Sequence, residues 1–141
     1  MPAAATERPL ELGGSLRFHP AWLDRAEADA LFSELRTSLP WTQGTITLFG
    51  RERAEPRLTA WFGDADYTYS GRTLKAAPWP APVEVLRRRA ERETGVAFNF
   101  VLLNRYRDGG DSMGMHSDDE PELGTDPVIA SVSLGATRRF V

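Results

Sequence analysis

A chain of 141 residues, 41% hydrophobic and 26% charged, has the size of one domain with one core and a soluble globular composition, which excludes a disordered or fibrous polypeptide. The absence of cysteine excludes a disulfide framework, a thiolate metal site and a cysteine nucleophile, so any metal must be held by nitrogen and oxygen. A formal net charge of -3 argues against indiscriminate attraction to nucleic acid. No apolar run approaches the roughly 18 residues that span a bilayer, and no leader pattern opens the chain, so a cytoplasmic protein without membrane contact is expected.

Residues 1–16 show little periodicity and read as a flexible tail without chemistry, leading into a short strand near Leu16 and Phe18 and a single domain over residues 17–141. His19-Pro20 breaks the chain, and His19 reads as structural or exposed. Leu23, Ala26, Ala30, Leu31 and Leu35 then recur at helical spacing, with Glu27 and Glu34 beside that stripe, which predicts an amphipathic helix closing before Pro40.

From Trp41 to about residue 75 the pattern changes to alternation. Short β-branched or aromatic runs at residues 45–49, 58–62 and 67–69 are separated by Gly50, Gly63-Asp64 and Ser70-Gly71, which predicts β-hairpins. Phe49-Gly50 at a turn, followed by Arg51 and Arg53, sets an aromatic beside positive charge, an arrangement suited to stacking on a base next to a phosphate, although an aromatic in a hairpin is more often a core residue.

Residues 77–82 form a proline-rich connector, after which Val83, Leu86 and Ala90 predict a second helix with Pro82 in its first turn and Gly95 as its cap. Residues 97–103 are nearly continuously apolar, as expected of a strand buried on both faces. That strand delivers Asn104 and Tyr106, two apart and on one face, to a glycine turn before His116. Residues 128–134 predict another core strand, 135–137 a turn, and 138–141 the start of one more. Two helices and many short strands together indicate an α+β domain whose sheets form a sandwich or jelly roll, with the helices on one outer face.

Arginines gather at positions 51, 53 and 57 and again at 87, 88, 89 and 92, whereas residues 108–126 contain acids and no lysine or arginine. A basic face for phosphates and an acidic mouth for metal is one reading, and solvated faces are the other. In an extended strand His116 and Asp118 share a face while Ser117 points away, giving two thirds of the facial triad that holds non-haem iron, or else an acidic solvated loop.

Phe49-Gly50, Pro56-Arg57-Leu58-Thr59-Ala60-Trp61, Gly63-Asp64, Tyr67-Thr68-Tyr69-Ser70-Gly71, Phe98-Asn99, Leu103-Asn104-Arg105-Tyr106, Asp108-Gly109, His116-Ser117-Asp118-Asp119-Glu120 and Ile129-Ala130-Ser131-Val132-Ser133-Leu134-Gly135 follow one another in order. From about residue 38 to the end this series resembles the AlkB family of Fe(II)- and 2-oxoglutarate-dependent dioxygenases, which repair alkylated nucleic-acid bases. It resembles most the branch that acts on DNA.

The resemblance implies a double-stranded β-helix (jelly roll) whose core starts at residues 97–141, with N-terminal helices on one sheet and a nucleotide-recognition lid at about 41–75. It implies that His116 and Asp118 bind iron and that Asn104 and Tyr106 contact 2-oxoglutarate. Tyr69 would stack on the damaged base opposite His116, Tyr67 would meet the backbone or base edge, Phe49 would probe the duplex, and Arg57 would contact nucleic acid nearby. Asp119 and Glu120 lie where the family has acids near the exocyclic amine, which favours a cationic alkylated base over the neutral one. The implied reaction consumes molecular oxygen and 2-oxoglutarate, hydroxylates the alkyl carbon and releases aldehyde, succinate and CO2, in a protein expected to act as a monomer on alkylated DNA. An oxygenase of the same family acting on RNA or protein, and a non-catalytic nucleic-acid-binding module that keeps the aromatic lid, are the alternatives.

The sequence departs from the family at Met115, where relatives often carry tryptophan. The family's second iron-binding histidine, and the arginines for the far carboxylate of 2-oxoglutarate, fall after the segments present, so a longer enzyme truncated at its C-terminus is expected, with a partner that supplies the rest and a non-catalytic remnant as the other readings.

Overall fold

The computed structural model describes residues 4–69, 72–114 and 127–140, with the side chains of Tyr69 and Arg72 left out. Eight strands and two helices follow in the order β1 (Thr6–Pro9), β2 (Ser15–Phe18), α1 (Arg25–Ser38), β3 (Thr45–Leu48), β4 (Arg51–Ala54), β5 (Leu58–Gly63), β6 (Tyr67–Tyr69), β7 (Arg72–Leu74), α2 (Ala81–Thr94) and β8 (Phe100–Arg105). They pair as four two-stranded antiparallel sheets, β1-β2, β3-β4, β5-β8 and β6-β7.

The strand that organises the rest is β5. One edge pairs with β8 from Leu58↔Arg105 to Gly63↔Phe100. Its other edge is bridged at both ends, Thr59 exchanging hydrogen bonds with Thr42 and Gly63 with Ala77. Alternation along this ribbon separates two faces. Leu58, Ala60, Phe62, Val101, Leu103 and Arg105 share one, where Ala60 and Phe62 join Leu35 and Val83 as the buried hydrophobic residues. Burying Phe62 contributes roughly 1.5–3 kcal/mol. Arg105 on this face donates to the Arg36 carbonyl in the last turn of α1. Thr59, Trp61, Gly63, Phe100, Leu102 and Asn104 share the opposite face.

Both helices start and stop for local reasons. Asp24 and Glu27 form a reciprocal capping box at the start of α1, Glu27 N–H donating to the Asp24 carboxylate at 2.8 Å. Leu39 ends that helix in extended conformation, and the Trp41 indole N–H donates back to the Leu35 carbonyl at 3.0 Å. Pro82 sits in the first turn of α2 as expected, and Gly95 closes the helix in left-handed conformation (φ 70) with its N–H on the Glu91 carbonyl. Neither helix is long and apolar enough to cross a membrane.

Several expectations are corrected. A hairpin, β1-β2, occupies part of the segment read as a tail. The run at 58–62 forms its ladder not with the neighbouring runs but with β8, far along the chain, which satisfies the backbone groups along one edge of β5. That partner strand starts three residues later than the apolar run and is not buried on both faces: its other edge has no ladder among the described residues, and Leu102 is exposed. Residues 128–134 and 138–140 form no strand, and Val128, Ile129 and Val132 are exposed. A strand exists only as a pair of backbones, and no described segment offers this run a ladder. The α+β class therefore holds, while the described strands form separate ribbons and no closed jelly roll.

Gly135 anchors that final segment on α1. Its φ of 80 is left-handed, and a Cβ there would lie 2.6 Å from Phe32 Cε2. Gly135→Ala should cost about 1–2 kcal/mol from the backbone alone, more with the ring in the way, as read from the urea midpoint. In a Phe32→Leu background the same substitution should cost less, and an equal cost in both would show that the ring is no obstacle.

Candidate functional site

Asn104 leaves the β5-β8 ribbon on the same face as Trp61 and Phe100, and Tyr106 follows two residues on. Arg57, immediately before β5, reaches across the ribbon: one terminal nitrogen, Nη1, donates to Asn104 Oδ1 at 2.8 Å and to the Met113 thioether at 2.8 Å. Its Nε donates to Glu55 Oε2 at 3.2 Å. The Arg57 and Glu55 side chains are only 12% and 13% exposed, so this ion pair is shielded and less screened than a surface pair.

Beyond Tyr106 the chain folds into a tight, charge-locked turn. Gly110 N–H donates to Asp108 Oδ1 at 2.8 Å, and the Ser112 N–H to the Pro56 carbonyl at 2.8 Å, which ties the turn to the approach to β5. Asp111 is buried and accepts from the Arg107 backbone N–H at 2.9 Å, Nε at 2.8 Å and Nη2 at 3.1 Å. The Arg107 side chain first, and its backbone N–H second, hold the Asp111 carboxyl down at about 2 against the opposing effect of burial. The same hydrogen bond raises the Arg107 guanidinium above its ordinary value. Arg138 completes the turn from residues far along the chain: its guanidinium lies 4.2 Å from the Tyr106 ring centroid and donates to the carbonyls of Asp108 and Asp111.

The expected lid is anchored on the ribbon face that carries Asn104. Tyr67 stacks on Trp61 at 5.2 Å and meets Phe100 at 4.6 Å, with Trp61 and Phe100 themselves 4.9 Å apart. Gly63 permits this close packing, since a Cβ there would come within 3.2 Å of Trp61 Cζ2. At the hairpin base Asp66 accepts from the Ala76 N–H and from Lys75, and these two hydrogen bonds, the backbone one first, lower its pKa. The backbone of Tyr69 pairs with Arg72 at the far end. Phe49 stands apart from this cluster: it caps the β3-β4 hairpin, fully exposed, with φ 51 at Phe49 and φ 75 at Gly50. Two left-handed residues are what a two-residue hairpin turn of this hand requires, and a bulky aromatic is an unusual choice for the first. Arg51 and Arg53 share a face of that hairpin with Leu48 and Ile46.

His116, Asp118, Asp119 and Glu120 lie outside the described residues. Among the described residues no group of three histidine, cysteine, aspartate or glutamate side chains is poised for a metal. For 2-oxoglutarate the described donors do fit. Arginine can only donate, so Asn104 turns its oxygen to Arg57 and leaves its NH₂ for an acceptor, while Tyr106 brings a phenol with a guanidinium stacked on it. Those are groups suited to a dicarboxylate.

Three arginines of the second cluster, Arg87, Arg88 and Arg89, are engaged within the chain. Arg87 grips Asp64 and stacks 4.3 Å over Trp79, lowering the Asp64 pKa through that hydrogen bond. Arg88 pairs with Glu84, and Arg89 lies over the Trp22 ring and pairs with Glu27 and Glu93. Sequence reasoning missed Glu55, Arg107, Asp111, Met113 and Arg138. The Asp-Gly-Gly-Asp spelling at 108–111 was the signal available for the turn, whereas Arg138, 32 residues from Tyr106, left none.

The chain matches the 2OG-Fe(II) oxygenase superfamily over residues 15–141. It is 45% identical over 123 residues to the human alpha-ketoglutarate-dependent dioxygenase alkB homolog 3, covering 86% of this chain and 43% of that protein. It is 46% identical over 122 residues to the human DNA oxidative demethylase ALKBH2, covering 83% and 47% respectively. The Arabidopsis thaliana DNA oxidative demethylase ALKBH2 is 34% identical over 146 residues, 98% of this chain and 46% of that protein. The chain thus spans less than half the length of these relatives.

The Asp111 lock has an acid signature. Its folded pKa of about 2 lies below the ordinary 3.8, so its contribution to stability is complete above about pH 4 and is lost as pH falls toward 2. Asp111→Asn should lower the melting temperature at neutral pH and flatten its fall between pH 4 and 2. Parallel pH profiles for variant and wild type would contradict the lock.

Proposed function

The chain belongs to the 2OG-Fe(II) oxygenase superfamily, and from that premise we propose that it carries out oxidative dealkylation of N-alkylated bases in DNA, with Fe(II) and 2-oxoglutarate as cofactors and a jelly-roll core. The observation that carries this reading is the sharing of one sheet face. Asn104 projects from the face on which Tyr67 is stacked, so the hairpin resembling a base-recognition lid is fixed to the ribbon that bears the cofactor amide.

In this reading His116 and Asp118 hold the iron, which with 2-oxoglutarate and oxygen supplies the oxidising power to hydroxylate the alkyl carbon. With both bound, oxidation of the keto acid to succinate and CO2 would be the source of the oxidising power, and the alkyl carbon would gain the hydroxyl. The hydroxylated carbon on nitrogen then expels the base and departs as an aldehyde. The chain's own residues bind and orient. Asn104 offers amide hydrogens to an oxygen of 2-oxoglutarate, and Tyr106 offers its hydroxyl, with Arg138 adding positive charge behind the ring. By the resemblance Tyr69 and His116 would wall the slot for an extruded base, Tyr67 would meet the nucleic-acid backbone or base edge, and Asp119 and Glu120 would favour a cationic lesion.

Phe49, with Arg51 and Arg53 behind it, meets the duplex where the base has left. Its full exposure, and the choice of a bulky aromatic at a left-handed turn position, support this, because the turn needs the backbone conformation but not the ring, and strain of this kind gathers at functional sites.

Two outcomes test the reading. Asp118→Ala should abolish release of formaldehyde from a methylated oligonucleotide while leaving oligonucleotide affinity within about twofold; equal activity in the variant would sink the assignment of Asp118 to iron. Phe49→Asn should stabilise the hairpin, since asparagine tolerates φ > 0, yet weaken DNA binding on the order of tenfold or more, as expected for a stacking contact. Undiminished binding by that variant would remove Phe49 from the interface.

A further inference from the structure

The resemblance gives Arg57 to the nucleic acid, but its surroundings argue for work inside the protein. Nε is engaged by Glu55, and the two hydrogens of Nη1 are directed at Asn104 and Met113. A guanidinium has five N–H donors, so three of the five are committed to side chains of the same chain. A side chain 12% exposed is also poorly placed to meet a phosphate without first giving up partners.

Glu55 is itself immobilised. Its N–H donates to the Gly44 carbonyl at 2.8 Å, and its own carbonyl accepts from Gln43 Nε2 at 2.8 Å. These contacts fasten it to the base of the β3-β4 hairpin, whose register ends at Thr45↔Ala54. A continuous set of bonds therefore runs from that hairpin base through Glu55 and Arg57 to the Asn104 amide.

We propose that Arg57, braced by Glu55, is a positioning residue that sets the Asn104 amide for 2-oxoglutarate, with its oxygen turned inward and its NH₂ turned out. An amide alone can present either end to a ligand. With a guanidinium fixed 2.8 Å from its oxygen, only the end that donates faces the site, and a carboxylate or keto oxygen is what such an end binds. Met113, three residues before His116, shares the same Nη1, which ties the start of the segment carrying the proposed iron ligands to the same node. The proposal rests on the reading of Asn104 as a 2-oxoglutarate contact.

The test measures binding without turnover. The protein loaded with Mn(II), under anaerobic conditions, is titrated calorimetrically with 2-oxoglutarate, and separately its affinity for a methylated oligonucleotide is read by fluorescence anisotropy. Asn104→Ala and Arg57→Ala should each weaken 2-oxoglutarate on the order of tenfold, the scale of one hydrogen bond to a charged group. The double variant should be no weaker than Asn104→Ala alone, because the two residues act through one interaction. Arg57→Lys, which keeps charge and stem but not the fork, should fall between wild type and Arg57→Ala, and Glu55→Gln should weaken binding in the same direction. Oligonucleotide affinity should change less than 2-oxoglutarate affinity in all of them.

A loss in Asn104→Ala with no loss in either Arg57 variant would overturn the proposal and leave the Asn104 reading standing. Effects that multiply in the double variant would also overturn it. No change in Asn104→Ala, or no 2-oxoglutarate binding by the wild-type protein, would overturn the reading beneath it.

Discussion

The pairing of β5 with β8 is the constraint on which the remaining structure depends. It joins two distant segments in consecutive pairs from Leu58↔Arg105 to Gly63↔Phe100, and the alternation it enforces decides which side chains meet. Ala60 and Phe62 are sent to the core; Trp61, Phe100 and Asn104 are sent to the other side. Arg57 and Asn104 meet only because Leu58 is opposite Arg105. A slip of one residue would reverse every assignment, exchanging core and site. The second edge of β5 is bridged at Thr59 and Gly63, so the strand is fixed from both sides and can carry a precise arrangement.

Charge is used in two distinct ways on this frame. Arg87 and Arg89 are bound to acids and aromatic rings of other elements and dock α2 against Asp64, Trp79 and the start of α1, while Arg88 pairs with Glu84 within the helix. Arg107 and Arg138 lock the turn after Tyr106, the first through Asp111 and the second through two carbonyls and the tyrosine ring. The arginines suited to meet a polyanion are those of the β3-β4 hairpin, beside the exposed Phe49. A net charge of -3 is compatible with DNA binding when positive charge is concentrated on one projecting element.

Much of the local structure was legible in the sequence, and the reasons are local. Helical periodicity ending at Pro40 marked α1, Pro82 and Gly95 bracketed α2, and Phe49-Gly50 marked a hairpin tip. What was not legible depends on distance. Nothing in residues 58–62 says that their partner is β8, and nothing at Arg138 says that it will cover Tyr106. The apolar run at 128–134 reads as a strand by composition, yet a strand also needs a second backbone, and composition is silent on that. At the site, spacing put Asn104 and Tyr106 on one face and the family resemblance gave them a role; the structure sets Asn104 on the ribbon face of Trp61 and Phe100, and the side chains around the two residues were visible only there. His116, Asp118, Asp119 and Glu120 were named from the sequence and lie outside the described residues.

That His116 and Asp118 hold an iron to which 2-oxoglutarate chelates is the proposal on which the functional reading rests, and an anaerobic spectroscopic titration tests it most directly. On adding Fe(II) and then 2-oxoglutarate, the account predicts the visible metal-to-ligand charge-transfer absorption of a chelated keto acid, absent with either component alone and lost in both His116→Ala and Asp118→Ala. No absorption, or one indifferent to both substitutions, would contradict it.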